Sequence, residues 1–423
     1  MFKTIQIFLT VILTSLFFFP FFFSFLPTVN TKMFLAVLGL ISYVMNHLNG
    51  HTENFEKGLF KISMWALLVS FCSFITMVVN NTPDDSYLGY IISMYVWLFA
   101  AYFCVNTMRI VHGQISIEII GYYLVGVAVM QCTLGLLINY FPFIKSIVDS
   151  LITGEKYMGV GVEDRLYGIG CALDVGGGRL GAILIILSHL IILAIKRKDS
   201  QLRFIGLIGA FIYVMTVGNM MGRTASVGAA IALFYFIIYI FYSSTYDIRI
   251  MKYINSGAIV IICGVIICIG LYNVNPEFRK LLRFGFEAFF NYFENGTFET
   301  NSTNMLSEGM IFPDNFKTWI IGDGYMASGS NDPYYTGPSD YGFYMNTDAG
   351  YSRFIFYFGL IGLSAFSLFF INVCKDCINR FVEAKYLFIA ILLFNFCVWV
   401  KVSTDLFVVF APFLCIDKSL DKR

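Results

Sequence analysis

The sequence predicts an all-α fold, a polytopic membrane helix bundle of about 12 transmembrane helices with one long, partly helical loop facing away from the cytoplasm. Three observations predict it. Hydrophobic residues make up 58% of the chain and charged residues 13%, with a mean hydropathy of +0.74, whereas a soluble domain is about half apolar and about a quarter charged. Apolar runs of about 20 residues recur along the whole length, and in lipid such runs must be helical because a helix satisfies its own backbone. Residues 273–351 form a stretch far longer than the usual helix connection of about 2–8 residues.

The spans fall, in order, at residues 7–26, 33–48, 59–79, 88–108, 117–140, 180–195, 204–221, 224–242, 254–272, 352–373, 386–400 and 404–416. The last is short and reads either as a span or as a re-entrant segment. Lys3 precedes the first apolar run, but that run is long for a signal peptide and no small-x-small cleavage pattern follows, so it reads as a retained first helix. Lys196, Arg197, Lys198 and Arg203 share one short connection, Arg249 and Lys252 another, and Lys375, Arg380 and Lys385 a third; Lys418, Lys422 and Arg423 follow the last span. A twelve-span count puts all of them on one side, which the positive-inside bias makes cytoplasmic, together with both termini.

Two outward segments differ from ordinary connections. Residues 141–179 are too polar and glycine-rich to span. Residues 273–351 are dense in aromatics (Trp319, Tyr325, Tyr334, Tyr335, Tyr341, Phe343, Tyr344), a composition unlike that of disordered chains. The first part of this loop spaces Phe278, Leu281, Leu282, Phe286, Phe289, Phe290 and Phe293 as one face of a helix, with Arg279, Lys280, Arg283 and Glu287 opposite. Such a helix lies in the headgroup plane or packs on the outer ends of the bundle.

A net charge of +1 points to neither nucleic acid nor a polyanionic partner. The ten cysteines lie almost all in apolar runs and none is in the long loop, which excludes a disulfide framework. Cys374 and Cys377 form a lone CxxC with no second ligand pair, a structural pattern rather than a zinc site. Gly168, Gly170, Gly176, Gly177, Gly178 and Gly181 lack a following GKS or GKT, so they form no P-loop; they suit close backbone approach to a ligand or a neighbouring helix, or plain flexibility.

Charges beside hydrocarbon are costly and usually have a task or a partner. Arg165, Arg179, Arg223 and Arg353 all fall at outer helix ends or in outward loops. One reading is a phosphate-binding cluster, since guanidinium pairs bidentately with phosphate oxygens; the other is snorkelling or pairing with Asp164, Asp174, Asp323 or Asp348. None of the histidines (His47, His51, His112, His189) is in an outward loop, so an external general base must be a carboxylate. Asp323, Asp332, Asp340 and Asp348 are the candidates, with Glu299 and Glu308 behind them. Asp348 stands directly before the tenth span and near Arg353, where burial at the membrane rim is expected. Aromatics with carboxylates suit sugar binding, or an interfacial belt.

The stretches WIIGDGY (319–325) and TDAGYSRFIFYFGLIG (347–362) resemble the long loop and following helix of bacterial O-antigen polymerases, the Wzy family of repeat-unit polymerases. GRTASVGAAIALF (222–234) is similar to the arginine-bearing start of a helix in the same polymerase and ligase superfamily, and Arg165 with Gly176 fits an Arg-x10-Gly pattern of some polymerases. O-antigen ligases carry His-(Asn/Ser/Gln)-x9-Gly-x-x-Gly at the end of their loop; here Asp348, Ala349, Gly359 and Gly362 hold those positions, and aspartate for histidine favours a polymerase.

The resemblance implies a bacterial inner-membrane enzyme with a transmembrane bundle over residues 1–272 that includes a periplasmic segment at 141–179, a periplasmic loop at 273–351, and three further spans in 352–423 with a cytoplasmic C-terminus. It implies inverting, metal-independent glycosyl transfer on the periplasmic face, without a cofactor. Undecaprenyl-diphosphate-linked glycans are both donor and acceptor, the bilayer is the solvent, and a chain-length regulator and a flippase are the expected protein partners. Arg165, Arg179, Arg223 and Arg353 are then assigned to the diphosphate, and Asp348 and Asp323 to the base or to acceptor orientation. The alternatives are an O-antigen ligase and, in a different class, a lipid-linked oligosaccharide flippase or transporter.

Overall fold

The structure, a computed structural model, describes residues 2–49, 53–152, 165–242, 248–327 and 342–416. The helices are α1 (Phe2–Phe18), α2 (Thr31–Leu48), α3 (Glu53–Asn80), α4 (Tyr90–His112), α5 (Ile117–Tyr140), α6 (Pro142–Leu151), α7 (Leu173–Arg197), α8 (Gln201–Met221), α9 (Thr224–Tyr242), α10 (Ile248–Val274), α11 (Pro276–Gly285), α12 (Glu287–Asn295), α13 (Asn301–Gly309), α14 (Phe316–Ile321), α15 (Gly350–Arg380), α16 (Lys385–Lys401) and α17 (Phe407–Leu414). A short antiparallel ribbon, β1 (Phe22–Phe23) with β2 (Leu26–Asn30), joins α1 to α2.

Every predicted span overlaps a helix, but the first, expected over 7–26, stops at Phe18, where the chain turns into the ribbon of β1 and β2. Among the described residues, α2, α3, α4, α5, α7, α8, α10, α15 and α16 hold the nine segments long and apolar enough to cross a bilayer. Helices α1 and α9 are apolar but shorter, and α17 has only eight residues. The chain is a multi-pass helical membrane protein.

Two further elements differ from expectation. Helix α7 starts at Leu173, not near residue 180, so Gly176, Gly177 and Gly178 are helical and buried rather than part of an outward loop. Glycine is tolerated there because neighbouring backbone fills the space where side chains would stand: a Cβ on Gly177 would lie 2.6 Å from Gly222 O, and one on Gly228 would lie 2.3 Å from Gly181 Cα. Close backbone approach of this kind is how membrane helices pack when burial in itself offers little. The amphipathic stretch, expected as one helix, is two, because the chain breaks at Phe286 between α11 and α12.

The chain divides into two compact units. One comprises Met1–Val37 with Phe103–Phe298, the other Leu38–Tyr102 with Glu299–Arg423, and the long loop is shared between them. In the first unit α7 is central; 89% of its span window is buried, with α5, α8 and α9 against it. In the second, α15 is central, flanked by α3, α14, α16 and α17. Its aromatic core stacks Phe366 on Trp399 at 5.0 Å and sets Phe354 and Phe370 edge-on to the same indole.

Candidate functional site

In the first unit Arg165 and Arg223 converge on one ring. Their guanidinium carbons stand 4.8 Å and 4.2 Å from the centroid of Phe284, in the last turn of α11. The local fold fixes both. The strand-like segment carrying Arg165 is hung on α8 by Leu166 N donating to Met220 O (3.0 Å). It is clamped by the buried Gln131 of α5, whose Nε2 donates to Ile169 O (2.9 Å) while its Oε1 accepts from Ile169 N (2.9 Å). Gly170 makes the turn possible, with φ +72° and no room for a Cβ against Phe19 O, 2.3 Å away. Arg223 occupies the tight connection between α8 and α9, beside Thr224, whose Oγ1 donates to Asp174 (3.0 Å).

The charges around these guanidiniums are unevenly matched. Arg223 Nη1 lies 2.5 Å from Glu287 Oε2 and its Nε donates to Phe284 O (3.1 Å), yet Nη1 makes no well-directed hydrogen bond. Desolvation lowers the pKa of Arg223 from its ordinary value and the neighbouring Arg165 lowers it further, while Glu287 and Asp174 oppose the shift. Arg165 pairs with no carboxylate among the described residues; Asp164, one of the four aspartates expected to pair with the arginines, lies outside them. The site thus presents two planar guanidiniums on one ring, with the Glu287 carboxylate against one of them.

Arg179 is placed differently. It is buried in α7, its Nη1 donates to Phe18 O (2.6 Å) at the end of α1, and Phe19 lies beneath it at 5.9 Å. Its visible task is to satisfy a helix C-terminus.

In the second unit the GDG of WIIGDGY docks on a break in α15. Phe358 and Gly359 leave helical geometry, Gly359 with φ +65°. The break exposes two carbonyls: Asp323 N donates to Phe356 O (2.6 Å) and Gly324 N to Tyr357 O (3.0 Å). From α3, Thr76 Oγ1 and Asn80 Nδ2 donate to Ile321 O (2.9 Å) and Gly322 O (3.1 Å). The Asp323 carboxylate accepts from Thr318 Oγ1 (2.6 Å) and Tyr344 OH (3.1 Å). Tyr344 stacks on Tyr325 at 5.4 Å, so these rings face each other, as Trp319 and Phe312 do at 5.7 Å.

Arg353 lies in the first turn of α15 above Phe343, 4.2 Å from its centroid, and its Nη2 donates to Met326 O (3.0 Å). Asp348 and Asp84 are the carboxylates in its field. Asp348 is exposed, not buried as expected, because the chain turns outward between the buried Thr347 and Ala349. Asp332, Asp340, Tyr334, Tyr335 and Tyr341 lie outside the described residues, as does the side chain of Glu308.

Sequence reading missed Phe284, Glu287 as the partner of Arg223, and Asp84. Asp84 Oδ2 accepts from Met326 N (2.7 Å) and Ala327 N (3.3 Å), pinning the end of WIIGDGY to the connection between α3 and α4. No local pattern marks these three; their roles arise from contacts distant in sequence. No family model matches the chain, and no curated protein or solved structure shows significant similarity to it.

Proposed function

We propose that the protein polymerises undecaprenyl-diphosphate-linked oligosaccharide repeat units into O-antigen or a similar surface polysaccharide, as a bacterial inner-membrane glycosyltransferase acting on the periplasmic face. The observation that carries the reading is the pair Arg165 and Arg223, two guanidiniums on one ring, of which only Arg223 is paired with a carboxylate among the described residues. In glycosyl transfer from a lipid diphosphate, the acceptor hydroxyl oxygen forms the new bond to the anomeric carbon, whose bond to the diphosphate oxygen breaks. The electron pair leaves with the diphosphate, and the hydroxyl proton passes to a base. Fixed cations at the leaving group stabilise the charge that develops there. In this reading Arg165 and Arg223 take that role, and Arg179 and Arg353, bonded to backbone carbonyls, hold the fold around it. Asp348 as base rests on the resemblance and on its exposure, and Asp323, already accepting two hydroxyl hydrogen bonds, is a positioning residue for its loop.

The break in α15 favours a transporter as the second reading, since discontinuous helices mark transporter binding sites. Here the freed carbonyls are taken by Asp323 and Gly324 rather than left for a ligand, which weakens it. Deleting the gene in its host separates the classes on a gel of the surface glycan. A ladder collapsing to a single repeat supports a polymerase; loss of every capped species supports a ligase; repeats trapped inside the cell support a flippase; an unchanged ladder removes all three. In a complemented strain Arg223→Ala is expected to lower chain extension about 100-fold or more, the scale of losing a donor to a developing anion.

A further inference from the structure

The first unit carries an apolar face that its own packing leaves uncovered. On α6, Phe143, Ile144, Ile147, Val148 and Leu151 fill one continuous arc, with Lys145, Ser146, Asp149 and Ser150 on the other. Packing uses only part of the apolar arc. Val148, with Ile144 beside it, joins Ile152, Phe21 and Ile138 in a small core. Phe143, Ile147 and Leu151 lie outside that core and are exposed, Phe143 by 76%. The β1–β2 ribbon extends the uncovered face. Phe23 pairs with Ile152, and Ser24 N donates to Leu151 O (2.9 Å), which sets the exposed Phe25 and Leu26 next to Leu151.

The place of this face in the fold identifies what covers it. Helices α1 and α5 run side by side in one direction, with Gln131 Nε2 donating to Ser15 Oγ (2.8 Å) and Ile138 packing on Phe21 further along. Helix α5 has 24 residues, about 36 Å at about 1.5 Å per residue, slightly more than a hydrocarbon core of about 30 Å. The chain then breaks at Phe141, which is extended, and α6 follows at once. Both ends of α6 are thus tied to the membrane boundary, the first through α5 and the last through the ribbon that follows α1. A wide apolar arc opposite a lysine and serines suits a helix lying in the headgroup plane, where the lysine reaches the phosphates. We infer that α6 and the tip of the ribbon are immersed in the headgroup–acyl boundary of one leaflet, with Phe143, Ile147, Leu151 and Phe25 against lipid.

The same element reaches Arg165. Tyr167 and Ile169 pack on its inner core, and Tyr167 OH donates to Asp149 Oδ1 (2.9 Å). Lipid contact on one side of α6 therefore fixes, on the other, the height of the segment that carries Arg165. This contact needs no substrate and is independent of the reaction proposed above.

Irradiating the full chain in membranes of the expressing cell, with p-benzoylphenylalanine in place of Phe143, Ile147 or Ser146, reads the neighbour of each position. Phospholipid adducts are expected as the main product at Phe143 and Ile147, severalfold above their yield at Ser146 on the polar arc. Adducts chiefly with a second copy of the chain or with another protein overturn the inference, as does a lipid yield at Phe143 and Ile147 no higher than at Ser146. Hydrogen exchange in phosphatidylcholine nanodiscs reads the link to Arg165. The double variant Phe143→Asp, Ile147→Asp is expected to accelerate exchange about tenfold or more in residues 142–152 and 165–171, the scale of losing the burial of a large apolar side chain, with the middle of α7 unchanged. Wild-type rates in both segments overturn the link. Exchange that rises throughout α7 reports unfolding, and the photolabelling, which keeps an aromatic ring at residue 143, then decides.

Discussion

Arg223 and Glu287 are 16% and 18% exposed, a depth at which neither charge is fully solvated and each depends on the other. A solvent-exposed pair contributes little, but removing one partner from a buried pair costs about 3–5 kcal/mol because the remaining charge loses its match. This pair lies between those limits, so Glu287→Gln is expected to destabilise the first unit by about 2 kcal/mol. The thermal unfolding midpoint in detergent measures it. A double variant with Arg223→Ala should cost less than the two single losses together, since each removes the same interaction. Arg223→Lys retains the charge but loses the planar contact with Phe284, so it should restore the midpoint better than it restores chain extension. The arginine was legible in the sequence as a charge at a helix end. Its partners were not: Phe284 and Glu287 are more than 60 positions away, on α11 and α12, whose places are set by packing rather than by spacing.

The break in α15 shows the same division at the scale of an element. Gly359 and Gly362 are visible in the sequence as a Gly-x-x-Gly, yet nothing local says that one interrupts the helix and the other makes room for a ring. A Cβ on Gly359 would lie 2.2 Å from Ile320 O, and one on Gly362 would overlap the Phe358 ring. A Cβ on Gly322, whose φ is +85°, would lie 2.4 Å from Tyr357 O. Gly322→Ala is expected to cost about 1–3 kcal/mol from left-handed backbone strain alone, with the backbone clash in addition. Hydrogen exchange should then accelerate through residues 316–327 before any change in α3. A second element, α12, is tied to α11 by Arg283 and Glu294. The arginine holds the Glu294 carboxyl below its usual range by hydrogen bonding. A depressed carboxyl contributes stability above its unfolded pKa of about 4.3, and that contribution fades as pH falls through the lower folded value. Exchange in residues 287–295 should accordingly be flat near neutrality and rise, relative to a Glu294→Gln control, only in acid. The exposure of this pair keeps the effect small.

At the scale of the whole chain, composition and apolar periodicity made the succession of apolar helices legible, because lipid leaves a buried apolar run no choice but to be helical. What they left open was the last crossing. Helix α17 covers about 12 Å at about 1.5 Å per residue, too little for a hydrocarbon core of about 30 Å. The chain approaches α17 through non-helical backbone at residues 402–406, which begins extended at Val402. Extended backbone at that depth is tolerated only where protein satisfies it. Here Asn395 Oδ1 accepts from Leu406 N (3.0 Å), Trp399 Nε1 donates to Thr404 O (2.7 Å), and Gly350 brings the start of α15 against Val402 O, with no room for a Cβ. The far end of α17 returns to the C-terminal end of α15, where Arg380 Nη1 donates to Leu414 O (2.8 Å). The short helix and its non-helical lead therefore run from the start of α15 to its C-terminal end, the path that a crossing would take. Alkaline phosphatase fused after Lys401 is expected to be active outside, and the same reporter fused after Arg423 inactive. Activity in both fusions would place the C-terminus outside and reduce the count by one. Asn395→Leu, which leaves Leu406 N–H without its acceptor, should make the C-terminal fusion a mixture of the two states without altering the fusion at Lys401.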